Sequence, residues 1–143
     1  MNLGFSPPEP PQPQIAQELQ INTDGPGIKA MPAKSKASFS NFEALDIRVG
    51  RIVEVEDAAT RKPTYRLRVD FGPEFGLRVS CGAFRNYTKE ELIGRQVVGI
   101  LNFGPKQMGP EVSEFLMLGV PGKNDATIFL TPESSVELGV AVF

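Results

Sequence analysis

The chain has 143 residues and a formal net charge of −2, with one Cys and neither His nor Trp. The length fits one domain with or without a tail, and the composition excludes an internal disulfide, a Cys/His zinc site and a His-based catalytic triad. The charge balance is not that of a strongly basic nucleic-acid binder, and no apolar run reaches the roughly 18 residues that span a membrane.

The first 40 residues differ from the rest in composition. Residues 1–40 hold 7 of the 13 prolines and few large apolar side chains. Such a segment cannot bury enough surface to offset the entropy cost of ordering its backbone. We therefore predict a disordered Pro-rich tail at 1–40 and a folded domain at 41–143. Three roles stay open for the tail (a solvated extension, a Pro-rich ligand or a cleaved targeting segment), and Met31 is an alternative start.

The folded part begins with a helical turn and a bent strand. Ser40 or Asn41 is placed to cap a short helix over Phe42–Leu45. The β-branched stretch Ile47–Val55 predicts a strand, and Gly50 inside it suggests a bulge or a sharp bend. A bent first strand suits the curvature of a small barrel.

The next two strands follow from alternation of apolar and polar residues. Over Tyr65–Phe71 this alternation places Arg66 and Arg68 on the outward face. Residues 77–81 alternate again after a Gly-rich turn, which places Arg78 and Ser80 outward as well. The residues expected to point inward are Tyr65, Leu67, Val69, Phe71, Leu77, Val79 and Cys81.

A short helix and four further strands complete the pattern. Thr88 and Glu91 fit the capping box of a helix over Lys89–Ile93, which Gly94 would end. Short strands separated by turn signals indicate an all-β fold, and one helix between the third and fourth strands is typical of a five-stranded OB-fold barrel. The later strands are predicted at Val97–Phe103, Phe115–Leu118, Thr127–Leu130 and Val140–Phe143.

The sequence offers little for catalysis. Cys81 is the only thiol, and its inward position suits a small buried apolar residue better than a reactive group. No Gly-rich phosphate loop is present. We therefore predict neither an enzyme nor a bound cofactor or metal. A lone cysteine also suits a reducing compartment, which indicates the cytoplasm.

Ligand binding is better supported than catalysis. OB-folds bind on the face of strands 2–3 and through the loops that join strands 1–2 and 4–5. Residues 41–143 hold 12 cations against 14 acids, so a solvated, balanced sheet face is one interpretation, and weak, salt-sensitive nucleic-acid binding at a local site is the other. Six cations are expected to converge there, namely Arg61, Lys62, Arg66, Arg68, Arg78 and Lys106.

Several stretches resemble the tRNA-binding domain family. They include FEALDIRVGRI, RVSCGAF, YTKEELIGRQVVGILNF and PKQMGPEVSEFLMLG, in the family's order within residues 42–125. Within the family, the chain resembles the CsaA branch of export-related chaperones most. It departs from that branch in its long tail and in the loop Gly104–Gln107, where the branch tends to have Pro-Pro-Arg-Arg.

The resemblance implies an OB-fold whose C-terminal extension pairs two subunits into a homodimer. It implies tRNA binding on the barrel and, for the CsaA branch, chaperone binding of unfolded or presecretory polypeptides in protein export. The alternatives are an accessory module of an aminoacyl-tRNA synthetase and, third, a cytosolic enzyme. Taken from the family's motifs and, for the arginines, from strand alternation, the candidate tRNA- or peptide-binding residues are Arg66, Arg68, Arg78, Ser80, Asn102, Lys106, Gln107, Met108, Ser113 and Glu114.

Overall fold

The computed structural model describes residues 31–143. In chain order the elements are α1 (Phe39–Glu43), β1 (Ile47–Asp57), β2 (Tyr65–Asp70), β3 (Leu77–Gly82), α2 (Lys89–Leu92), β4 (Gln96–Ile100), β5 (Lys106–Met108), β6 (Glu111–Ser113), β7 (Leu116–Met117), β8 (Gly119–Pro121), a 3-10 turn (Lys123–Asp125) and β9 (Thr127–Phe129). Five of the strands form an antiparallel sheet in the order β3-β2-β1-β4-β7, which curls into a nearly closed barrel, and α2 lies between β3 and β4. The predicted all-β barrel with a helix at this position is confirmed.

Most of the predicted tail lies outside the described residues. Residues 31–38 are exposed and belong to no helix or strand, and the first helix begins at Phe39. This helix starts earlier than predicted because its N-cap is Ser38, whose backbone amide donates to Asn41 Oδ1 at 2.9 Å. Asn41 thus closes the first turn from inside the helix. No helix within residues 31–143 is long and apolar enough to cross a membrane.

The predicted capping box of α2 is confirmed. The amide of Glu91 donates to Thr88 Oγ1 at 3.1 Å, and the amide of Thr88 donates back to Glu91 Oε1 at 2.8 Å. Gly94 follows with a φ of +89°, a left-handed conformation that glycine adopts without strain. A side-chain pair therefore sets where this four-residue helix begins, and a glycine sets where it ends.

Strand β1 bends, although not at the predicted bulge. The register irregularity lies between Ile52 and Glu54, just after Arg51, where the strand passes from pairing with β4 to pairing with β2. Gly50 has another role, since a Cβ there would lie 2.8 Å or less from Val69 and Phe71. Its missing side chain lets β2 pack tightly across the barrel interior.

The predicted faces of β3 are wrong. In the β2–β3 ladder Leu67 lies opposite Ser80, and Val69 lies opposite Arg78. Side chains of directly opposed residues share one face, so Ser80 and Arg78 are on the same side as the buried β2 residues. Ser80 is 3% exposed, whereas Leu77 is 54% exposed. The alternation of apolar and polar residues predicted the strand correctly. It predicted the wrong inward face, because polar residues of β3 lie on the inner side of the barrel.

The C-terminal residues lie along the first half of β1. The amide of Gly139 donates to Val49 O at 2.7 Å, and the amide of Val142 donates to Ile47 O at 2.9 Å. The predicted strand Val140–Phe143 is reduced to one bridge between Ala141 and Arg48. The largest fully buried side chains all belong to the barrel and to α2, and they are Ile52, Leu67, Val69, Phe71, Leu92 and Val97.

Candidate functional site

An open pocket of about 430 Å³ lies between β3 and β7, the two edge strands of the sheet. We call this gap the seam. Three phenylalanines line the pocket: Phe84 and Phe115 are buried, while Phe103 is 47% exposed. The seam therefore offers an apolar floor with one accessible ring. Four of the predicted binding residues line it, namely Ser80, Lys106, Met108 and Ser113.

Two other predicted binding residues hold loops together. Asn102 Oδ1 accepts a hydrogen bond from the amide of Asp46 at 2.9 Å, and its Nδ2 donates to Ala44 O at 2.8 Å. Gln107 Nε2 donates to Gly109 O at 2.7 Å across the tip of the β5–β6 hairpin. Neither side chain lines the seam pocket. The amide groups of these two residues are occupied in keeping the surrounding backbone in place.

Ser113 and Glu114 close the barrel at β3. The amide of Cys81 donates to Ser113 Oγ at 3.4 Å. Val79 is held twice, because its amide donates to Glu114 Oε1 at 2.8 Å and its carbonyl accepts from the amide of Glu114 at 2.7 Å. These contacts attach the hairpin to β3 where no regular ladder forms between them. The polar pair predicted to touch a ligand therefore completes the barrel wall.

The predicted convergence of arginines on one outward face is wrong. Arg78 lies on the inner face of β3 and donates to Leu101 O at 3.2 Å. Arg66 and Arg68 do lie on the outer face, but acids neutralise both: Arg68 Nε is 2.8 Å from Glu54 Oε1, and Arg66 contacts two carboxylates. A guanidinium whose donors and charge are already engaged by a carboxylate binds a phosphate more weakly.

Three exposed cations without an ion pair lie in or near the β5–β6 hairpin. Within residues 31–143 no ion pair involves Arg61, Lys62 or Lys106, and all three side chains are exposed. Arg61 and Lys62 belong to the loop 58–64 that joins β1 to β2, and Lys106 begins β5 and lines the seam pocket. Positive charge therefore flanks the hairpin rather than covering the sheet.

Comparison with known proteins shows which family has this barrel. The sequence profile described as "Putative tRNA binding domain" matches residues 47–141. The chain belongs to this tRNA-binding domain family. The match covers the barrel from the start of β1 to the bridge at Ala141.

Methionine–tRNA ligases and CsaA chaperones are among the proteins that this tRNA-binding domain resembles. A methionine–tRNA ligase of Archaeoglobus fulgidus is 36% identical, and the match covers 98% of this chain and 22% of the ligase. The chain thus spans about a fifth of the length of that relative. Two solved structures match over their whole length and 76% of this chain: the chaperone CsaA of Bacillus anthracis (32% identity, TM-score 0.71) and the CsaA chaperone of Picrophilus torridus (37%, 0.70).

Glu111 belongs to the site of this tRNA-binding domain but was not among the residues predicted for it. Its carboxylate is mostly buried and accepts a hydrogen bond from the amide of Ala59 at 2.9 Å. It also accepts from Arg66 Nη1 at 3.0 and 3.1 Å. The backbone hydrogen bond and the guanidinium hold the pKa of Glu111 below its ordinary value. Only its position after a Gly-Pro turn distinguishes it in the sequence.

Cys81 lines the seam pocket of the tRNA-binding domain but is 6% exposed. Burial raises the pKa of its thiol, and the nearby Glu111 carboxylate raises it further. A thiol kept protonated is a poor nucleophile. No group of three or more Cys, Asp or Glu within residues 31–143 is arranged to hold a metal ion.

Proposed function

We propose that this tRNA-binding domain is a non-catalytic RNA-binding module that binds tRNA at the seam. The observation that carries the proposal is that three exposed cations without an ion pair lie at one junction. Lys106 lines the apolar seam pocket, and the hydrogen bond from Ala59 to Glu111 holds the loop of Arg61 and Lys62 against the same hairpin. Loops of this kind bind oligonucleotides in OB-folds. The loop cations would hold phosphates, and the exposed ring of Phe103 would stack on an unpaired base.

The charge of the domain predicts modest affinity. Eight of the fourteen cations in residues 31–143 are engaged with acids or backbone carbonyls, and three of the other six belong to the proposed site. Three phosphate contacts would release about two to three counterions. The affinity for tRNA should therefore depend on salt with a correspondingly small slope. With tRNA as its ligand, the protein would work in the cytoplasm.

Similarity to CsaA chaperones supports a finer proposal, in which a homodimer also binds unfolded polypeptides for export. The seam pocket is lined mainly by apolar side chains, which suits an extended polypeptide as well as a base. An apolar surface on the β8–β9 ribbon and the C-terminal segment suits a second copy. Its exposed members are Val120, Ile128, Leu130, Val136, Val140, Val142 and Phe143.

A second candidate is an accessory module that brings tRNA to an aminoacyl-tRNA synthetase. It is favoured by the similarity to one part of methionine–tRNA ligases. The two candidates share the tRNA site and differ in whether the chain acts alone. Co-purification of a stable complex with a synthetase would favour the module, and tight binding of unfolded polypeptide by the isolated chain would favour the chaperone.

The deciding experiment measures tRNA affinity by fluorescence anisotropy at about 50 and 200 mM salt. For three phosphate contacts we expect the affinity to fall roughly 20- to 40-fold between these concentrations. Replacing Arg61 and Lys62 by Ala should weaken binding and reduce the salt slope by about 2. The matched control replaces Arg68 and Lys89, which removes two cations already paired with Glu54 and Asp57.

The control variant should bind tRNA nearly as well as the wild type. Equal losses in both variants would mean that net charge, rather than the loops, decides binding. A carboxymethylated, permanently unfolded polypeptide measured in parallel should bind with little salt dependence if it enters the apolar pocket. Binding of neither ligand would refute both forms of the proposal.

A further inference from the structure

We propose that Glu111 is a positioning residue for RNA binding. Its carboxylate fixes the β1–β2 loop against the β5–β6 hairpin, so that the cations of both elements act on one nucleic-acid strand. This inference rests on the proposed function. It implies that a negatively charged residue is needed for the binding of a negatively charged ligand. The residue itself touches no phosphate in this arrangement, because its carboxylate faces the protein.

The carboxylate joins three elements. Oε2 accepts from the amide of Ala59 in the β1–β2 loop at 2.9 Å, and both oxygens accept from Nη1 of Arg66 on β2. Glu111 itself is the first residue of β6. One side chain therefore ties the loop and the barrel sheet to the hairpin. A carboxylate that accepts several hydrogen bonds is fixed in orientation as well as in charge.

The cations lie close to this junction along the chain. Ala59 is two residues from Arg61 and three from Lys62, and Glu111 pairs with Met108, two residues from Lys106. Because so few residues separate the cations from these contacts, a shift of the loop or of the hairpin at the junction would move the cations with it.

Burial separates Glu111 from the ligand. Glu111 is 8% exposed, whereas Arg61, Lys62 and Lys106 are all exposed. The charged and titratable groups around its carboxylate are Arg66 on β2, Glu56 on β1 and Cys81 on β3. Two carboxylates share one guanidinium, so this cluster carries a net negative charge beside a proposed anion site. Long-range electrostatics alone would therefore make Glu111 unfavourable for RNA binding.

A second ion pair on the same strands supplies a matched comparison. Arg68 on β2 and Glu54 on β1 join the sheet as Arg66 and Glu56 do. No described contact of Glu54 reaches the β1–β2 loop or the hairpin. Neutralising Glu54 changes net charge by the same amount as neutralising Glu111, and it leaves the loop contact with Ala59 intact.

The test compares Glu111→Ala with Glu54→Ala for tRNA affinity and its salt dependence. Both variants lose one negative charge, so simple electrostatics predicts tighter binding for both. Only Glu111→Ala removes the acceptor of the Ala59 amide. The positioning role therefore predicts that Glu111→Ala binds about 5- to 10-fold more weakly, because each lost phosphate contact removes nearly one power of the salt concentration, and that its salt slope falls by about 1. Glu54→Ala should bind as tightly as the wild type or more tightly.

Combining Glu111→Ala with the Arg61/Lys62 double Ala variant separates positioning from general destabilisation. If Glu111 acts through those cations, its replacement should cost nothing further in the double variant, and additive losses would overturn the inference. Thermal unfolding of each protein shows that the assays use folded material. If Glu111→Ala does not fold, Glu111→Gln carries the test, because its NH2 group would face the Arg66 guanidinium, donor against donor, and so disturb the junction.

The results distinguish the two proposals. If the Arg61/Lys62 variant binds tRNA normally, the proposed loop site fails, whatever Glu111 does. If that variant is weakened while Glu111→Ala binds like the wild type or more tightly, the loop site stands and the positioning role is refuted. Weakening by both, without additivity, supports the inference.

Discussion

Glu114 forms hydrogen bonds with both backbone polar groups of Val79. Its Oε1 accepts from the Val79 amide at 2.8 Å, and its own amide donates to the Val79 carbonyl at 2.7 Å. The side chain replaces a strand carbonyl at the point where the barrel would otherwise be open. Each edge of a sheet leaves unpaired backbone groups. This contact satisfies part of the β3 edge without a regular ladder, which leaves the rest of the seam free for a pocket.

Replacing Glu114 by Ala should lower the free energy of unfolding by about 1 kcal/mol, because the Val79 amide loses its acceptor. Glu114→Gln is the control, since its amide oxygen can still accept that hydrogen bond. Urea denaturation at neutral pH measures both. Equal destabilisation by the two variants would mean that the charge of Glu114, rather than its acceptor position, stabilises the barrel.

The positions of the strands in this barrel could be predicted from the sequence more reliably than the side chains that face its interior. The alternation at 65–71 predicted both correctly, because Leu67, Val69 and Phe71 are all fully buried. In β3 the same pattern gave the strand but the wrong phase, since Ser80 and Arg78 lie on the inner face. Arg78 finds a hydrogen-bond acceptor there in the Leu101 carbonyl, and Ser80 lines the pocket. A local sequence pattern cannot predict such partners, because they lie far away along the chain.

The candidate site shows the same limit. The loop cations are visible in the sequence because OB-folds place these loops together. The pairing of Arg66 with Glu111 joins residues 45 positions apart and depends on the hairpin folding over β3. Sequence alone therefore overestimated the charge available on the sheet. It placed the binding function on arginines whose charge the fold neutralises.

Phe103 should contribute to RNA binding without contributing much to stability. It is 47% exposed and lines the seam pocket, so Phe103→Ala removes a stacking surface from a folded protein. Loss of a stacked base costs about 1–3 kcal/mol of binding free energy, which is roughly a 5-fold loss of tRNA affinity or more. Ile93→Ala, at a residue 53% exposed after α2, is the control and should bind normally. Equal affinity of both variants would exclude stacking at Phe103.

The ion pair of Glu111 should make acid stability depend on this residue. Because its pKa is lowered in the folded state, its contribution is fully present above the unfolded value of about 4.3 and is lost as pH falls through the lower folded value. Arg66, Glu56 and Cys81 are the charged and titratable groups around the carboxylate. Urea unfolding at about pH 7, 5, 4 and 3 spans the transition.

Glu111→Gln should therefore be less stable than the wild type at neutral pH, and the difference should shrink towards pH 3. Glu56→Gln is the comparison that reports the contribution of the second carboxylate. A constant difference between the wild type and Glu111→Gln at every pH would contradict the lowered pKa. It would assign the effect to packing of the side chain instead.

The C-terminal segment should serve two purposes, which two variants can separate. Gly139 and Val142 donate backbone hydrogen bonds to β1, and the side chains of Val140, Val142 and Phe143 are exposed. Deleting residues 131–143 removes the backbone pairs together with the apolar surface, so we expect a less stable monomer. Phe143→Asp keeps every backbone pair and places a charge on the proposed dimer surface. It should give a monomer of nearly wild-type unfolding temperature, as measured by light scattering and thermal denaturation. A dimer that survives both changes would place the subunit contact elsewhere on the barrel.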